Sequence, residues 1–122
     1  MKLATGVDLI EIERVQSVIT RYGQHYLGRV FTAAERELCG ERADSLAVRF
    51  AAKEAVSKAL GCGIGEVSFQ DIEILQDDQG APVLHLHGIA SKKAGKIGLT
   101  KWSLSLSHSS KLAIAMVTAV GD

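Results

Sequence analysis

Cysteine, aromatic side chains, net charge and long apolar runs are all scarce in this sequence, and each scarcity excludes something. Two cysteines, Cys39 and Cys62, cannot build a disulfide framework, and no C-x-x-C spacing offers a zinc or redox site. No apolar run approaches the length needed to span a bilayer. The opening "MKLATGVDLIEIERV" acquires acids too early for a signal peptide. Fourteen Lys and Arg balance fourteen Asp and Glu, so no global field points toward nucleic acid or a membrane surface. A local patch remains free to bind anions. The expectation is a reduced, soluble, cytoplasmic domain.

What the chain does have is apolar content without bulk. The hydrophobic fraction is 47%, yet aromatics are only 5%, and alanine and glycine supply much of the remainder. Such a core lets backbones approach closely and leaves spare apolar surface that an oligomer can bury. A length of 122 residues predicts one domain, 1–122.

Along the chain, "KLATGVDL" predicts a short strand ending near Asp8. Ile12, Val15, Ile19 and Tyr22 follow at helical spacing over residues 9–22. The opposite side of that helix carries Arg14, Val18 and Arg21, a basic face with an apolar centre. "FTAAERELCG" holds the capping box Thr32-x-x-Glu35 and a terminal Gly40, which marks a short helix. A third helix runs from about Leu46 to Leu60, closed by Gly61. "FQDIEILQ" and "VLHLH" flank the turn "DDQGAP", residues 89–97 form a weaker helix, and "WSLSLS" and "LAIAMVTAV" are strands around "HSSK". The order β-α-α-α-β-β-α-β-β implies an α+β fold, an antiparallel sheet with helices segregated to one side. The last strand is apolar on both faces, so a second covering surface is expected, either the chain's own helices or, as the favoured reading, another subunit.

On the third helix, Ala51, Ala52, Ala55, Val56, Ala59 and Leu60 share one arc at 100° per residue. Arg49, Lys53, Glu54, Ser57 and Lys58 take the opposite half, with Phe50 among them. Glu54 and Lys58 at i,i+4 have two readings. One is an exposed ion pair contributing about 0.3–0.5 kcal/mol. The other is an acid and a base presented together to a phosphate–metal complex. Asp8 is similarly double, as an N-cap with Glu11 three positions on, or as an acid sharing a metal with another element. His85 and His87 lack a third ligand nearby, so an exposed strand face suits them better than a metal pair. Ser107–His108 are adjacent on a strand end and do not aim at each other as a hydrolase pair would.

Four stretches, "GVDLIEIERV" (6–15), "FTAAE" (31–35), "RFAAKEAVSKALGCGIG" (49–65) and "SLSHSSKLAIAMV" (105–117), resemble the holo-acyl-carrier-protein synthase family of short 4′-phosphopantetheinyl transferases. With "GAP" at 80–82, the likeness covers essentially the whole chain. The resemblance implies the 4′-phosphopantetheinyl transferase fold. It also implies Mg2+-dependent transfer of 4′-phosphopantetheine from coenzyme A to a serine of apo acyl carrier protein, in fatty acid biosynthesis. Adenosine 3′,5′-bisphosphate would be the other product. By the same resemblance, Asp8 and Glu54 match magnesium-binding acids and Lys58 a lysine directed at the pyrophosphate, with Glu54 and Lys58 catalytic. Arg49, Lys58, Gly61, Gly63 and His108 fall at coenzyme A positions, and homotrimers with coenzyme A at subunit interfaces are implied. Cys62 stands where the family often has threonine. Acyl carrier proteins are acidic around the modified serine, so Arg14, Val18 and Arg21 are expected to dock one by charge steering and a small apolar contact.

Overall fold

A computed structural model describes Met1–Asp122. Strand β1 (Lys2–Glu11) runs directly into α1 (Ile12–Tyr22), followed by α2 (Gln24–Val30), α3 (Ala33–Cys39) and α4 (Ala43–Ala59). A 3-10 turn (Phe69–Asp71) leads into β2 (Ile72–Gln76) and β3 (Pro82–Leu86), and then come α5 (Gly88–Ile97), β4 (Lys101–His108) and β5 (Leu112–Gly121).

The α+β class is as expected, and all strand pairs are antiparallel. Two details differ from the expected order. A fourth helix, α2, precedes the capping-box helix, and the strands form two sheets, β1-β5-β4 and the separate hairpin β2-β3. The capping box itself forms. The Thr32 hydroxyl accepts from the Glu35 N–H at 3.2 Å, and the Glu35 carboxylate accepts from the Thr32 N–H at 2.9 Å.

Helix α4 is the centre of the molecule. Eleven of its seventeen residues are buried, so it is not the half-exposed helix that a two-sided wheel describes. Its alanines lie on the inner face of the β1-β5-β4 sheet, where Ala113, Ala115, Val117 and Ala119 of β5 are also buried. The helix and sheet are so close at β1 that a Cβ on Gly6 would overlap the Ala55 carbonyl. Only glycine allows that approach.

The expected basic face of α4 is largely absent. Lys53 is 0% exposed, and its ammonium donates to Glu35 Oε1 at 2.8 Å, Phe69 O at 2.9 Å and Ile72 O at 2.5 Å. The second Glu35 oxygen accepts from the Ile74 N–H at 2.8 Å. The pair therefore ties α3, α4 and β2 together inside the protein. No helix is long and apolar enough to cross a membrane.

Candidate active site

β1 continues past Asp8 to Glu11, and α1 begins at Ile12 with no side-chain cap from Glu11. Asp8 is thus not an N-cap. It pairs with Ala115 inside the sheet, and strand alternation turns it to the face that carries α4. Glu54 reaches the same place from α4, and both carboxyls line one cavity of 370 Å3 with Leu9, Ile10, Arg14, Val15, Val18, Tyr26 and Phe50.

The two acids oppose each other electrically. Burial raises the Glu54 proton affinity above its ordinary value, the Asp8 charge raises it further, and Lys58 partly offsets both. Lys58 makes no bond to Glu54. Its ammonium donates instead to Asp8 Oδ1 at 3.3 Å and to the Val7 carbonyl at 2.9 Å, and it remains 54% exposed. The i,i+4 ion pair is therefore replaced by a lysine held across β1 beside two carboxylates. A site with two acids and one half-exposed ammonium beside them suits a complex of phosphates with a hard cation. Mg2+ commonly takes one or two protein carboxylates and completes its shell with water and phosphate. No group of three His, Cys, Asp or Glu is placed to hold a metal ion together.

The remaining sequence candidates distribute unevenly. Arg49 is 7% exposed; its Nε donates to Ile74 O at 3.0 Å and its Nη1 to Ser45 O at 3.3 Å, so it also staples α4 to β2. Gly61 and Gly63 follow α4, Gly61 with φ 76, and a Cβ at either would touch nothing in the chain. His108 is exposed at the end of β4 and lines a different cleft of 670 Å3 with Ile12, Arg42, Ala43, Asp44, Ser109 and Ser110. One chain does not bring His108 and the acids into a single cavity. Arg14 and Val18 line the acid cavity; Arg21 does not, its guanidinium lying 5.5 Å over the Tyr22 ring. Neither arginine pairs with Glu11 or Glu13. His85 lies opposite Glu73 in the hairpin, while His87 meets Glu73 Oε1 at 3.0 Å.

Sequence reasoning passed over two groups. Arg42, Ser109 and Ser110 beside His108 form a cationic and hydroxyl-bearing cleft, signalled only by the turn "HSSK". Tyr26 and Phe50 wall the acid cavity, and Tyr26 lies on the unforeseen α2.

Known proteins are similar to this chain along nearly its whole length. A family described as the 4′-phosphopantetheinyl transferase superfamily matches residues 4–117. The chain is 49% identical to a holo-[acyl-carrier-protein] synthase of Herpetosiphon aurantiacus, over 98% of this chain and 99% of that one. It is 48% identical to one of Dehalococcoides mccartyi, over 96% and 98% respectively. Among solved structures, the Helicobacter pylori holo-[acyl-carrier-protein] synthase in complex with coenzyme A superposes with a TM-score of 0.87. The sequence identity there is 35%, covering 95% of this chain and 99% of that one.

Proposed function

The chain belongs to the 4′-phosphopantetheinyl transferase superfamily, and from that premise we propose that it moves 4′-phosphopantetheine from coenzyme A to a serine of apo acyl carrier protein, with Mg2+, to serve fatty acid biosynthesis. The observation that carries this reading is the convergence of Asp8 and Glu54 on one cavity with Lys58 beside them.

Asp8 and Glu54 would hold Mg2+, which supplies charge neutralisation on the pyrophosphate when bound. Their mutual repulsion supports that role, since a cation between them relieves it. The serine hydroxyl forms its bond to the phosphorus that bears pantetheine, the pyrophosphate P–O bond breaks, and adenosine 3′,5′-bisphosphate leaves. The serine proton needs an acceptor, and Glu54, whose carboxylate lines the cavity, is the side chain proposed to take it. Lys58 meets the charge that develops on the leaving phosphate. The Arg42–His108 cleft suits the nucleotide end. Gly61 and Gly63, where a Cβ would meet nothing in the chain, leave room for a further coenzyme A contact. The buried Arg49 guanidinium is committed to the Ile74 and Ser45 carbonyls and supports α4 rather than a ligand.

Assembly is part of this proposal. The outer face of β1 and β5 exposes Leu3, Val7, Leu9, Leu112, Ile114 and Met116, a patch of the kind that marks an interface. A homotrimer built on that face would let the His108 cleft of one copy adjoin the acids of the next. Arg14 and Arg21, both exposed and free of ion pairs, are the steering charges for an acidic carrier, with Val18 between them.

One incubation tests the activity. Coenzyme A, Mg2+ and the protein, with apo acyl carrier protein, should add a phosphopantetheine mass to the carrier. Bisphosphate release without carrier would indicate a hydrolase instead, and coenzyme A binding with no transfer would indicate a binding module.

A further inference from the structure

The overall charge balance of the chain conceals an uneven distribution. No acid occurs between Asp78 and Asp122, while that stretch carries Lys92, Lys93, Lys96, Lys101 and Lys111. The first three lie on α5. With 3.6 residues per turn, Lys92, Lys96, Ile89 and Lys93 share an arc of about 100°, and Ala90 and Ala94 turn away from it into the core. Lys92 and Lys96 are exposed and free of ion pairs. Lys93 is half-buried and reaches only Glu66, at 3.6 Å. A fourth ammonium stands at the C-terminal end of the helix, where a Cβ on Gly98 would meet Lys2 Nζ at 3.1 Å.

The helix itself gains nothing from this pattern. Lys92 and Lys96 are i,i+4 neighbours, and like charges at that spacing destabilise a helix. α5 is ten residues long, contains Gly95 and has no side-chain cap, so it has little stability to spare. The stripe also carries an apolar centre. Ile89 is 57% exposed, and apart from Met1 it shares with Tyr22 alone the position of a large exposed apolar side chain away from β1 and β5. Tyr22 lies under the Arg21 guanidinium on α1. Both helices thus present an apolar side chain among cations to the solvent.

We infer that the α5 stripe is a second docking surface for an acidic protein, and that its partner is the carrier that α1 also addresses. The inference rests on the functional reading above. Three ammoniums around an isoleucine complement carboxylates spaced along a helix about an apolar side chain. A phosphate-rich partner fits less well. A nucleic-acid backbone offers Ile89 no apolar contact, and one isoleucine on a ten-residue helix gives a bilayer little to anchor. The surroundings of α5 favour the same partner. α1 packs on α2, α2 on the 3-10 turn and that turn on α5, so the two basic helices belong to one series of contacts. The Lys93–Glu66 pair ties the stripe to the loop that follows Gly61 and Gly63, so a partner on α5 is held beside that loop.

Steady-state transfer to apo carrier at low salt tests the surface, using the assembled protein with Mg2+. Lys92→Glu reverses one charge of the stripe and places a glutamate four residues before Lys96, a pairing that supports the helix. It should raise the carrier KM about three- to tenfold. kcat, coenzyme A affinity and melting temperature should not fall, and the KM difference should shrink at about 0.5 M salt. Ile89→Ser should raise the carrier KM at both salt concentrations. Lys101→Glu makes the same change of net charge on β4, outside the stripe, and should leave the KM as it is. An unmoved KM in Lys92→Glu, or an equal rise in Lys101→Glu, would overturn the proposal. So would binding to duplex DNA or phosphatidylglycerol vesicles that Lys92→Glu abolishes while the carrier KM stays put. A wild-type protein that transfers nothing to the carrier would instead remove the functional reading, and the carrier as occupant with it.

Discussion

Glu54 stores an unfavourable charge, and that has a measurable consequence. Burial and Asp8 together hold its proton affinity above the ordinary value of 4.5. An acid whose folded pKa is raised costs the folded state stability once it ionises, so the penalty appears as pH rises from the unfolded value through the folded one. Glu54→Gln should therefore abolish transfer while raising the melting temperature near neutral pH, in chelator, with the difference vanishing below about pH 4.5. Mg2+ should raise the melting temperature of the wild type and not of the variant. A variant less stable than wild type at pH 7 would contradict the account. Gly6 is the second informative residue. Gly6→Ala places a methyl against the Ala55 carbonyl and should cost about 1–3 kcal/mol by denaturant titration. Because the strain would part β1 from α4, it should also lower turnover by moving Asp8 away from Glu54.

At the level of elements, most of the fold was legible in local signals. The Thr32–Glu35 box, the alternation of "WSLSLS" and the turn "DDQGAP" each mark what the structure contains. Helix α2 left little trace. It is seven residues long, contains Gly28 and has no side-chain cap, so neither periodicity nor capping marks it. Lys53 misled for another reason. A lysine next to Glu54 on a helix suggests a solvated face, and its partner Glu35 lies eighteen residues away on α3. Only tertiary structure brings them together, and Glu35 showed just its capping role in the sequence. Burial holds the Lys53 pKa down, with the Glu35 charge working against that loss. Glu35→Gln leaves a buried ammonium without its counter-charge and should destabilise the protein by about 3–5 kcal/mol. Lys53→Met combined with Glu35→Gln should cost less than Glu35→Gln alone, because the stranded charge is gone. Chemical denaturation of the single and double variants decides it; a double variant worse than the single would sink the pairing argument.

For the molecule as a whole, the sheet poses a problem that one chain does not solve. Its inner face lies under α4, while its outer face presents Leu3, Val7 and Leu9 on β1 beside Leu112, Ile114 and Met116 on β5. In register, Val7 pairs with Met116 and Leu9 with Ile114, so these side chains form one continuous apolar strip. Fully burying such a side chain is worth about 1.5–3 kcal/mol, enough in sum to hold copies together. If His108 and the acid pair serve one ligand, the site makes the same demand, since they line separate cavities of one chain. Ile114→Glu puts a charge in the strip without touching the core beneath α4. It should yield a folded monomer by sedimentation velocity, with wild-type circular dichroism and a melting temperature that no longer rises with protein concentration. If the subunit boundary completes the coenzyme A site, the monomer should lose transfer and bind coenzyme A weakly although Asp8, Glu54 and Lys58 are intact. A monomer that transfers at the wild-type rate would confine the whole site to one chain. The apolar strip would then serve assembly alone.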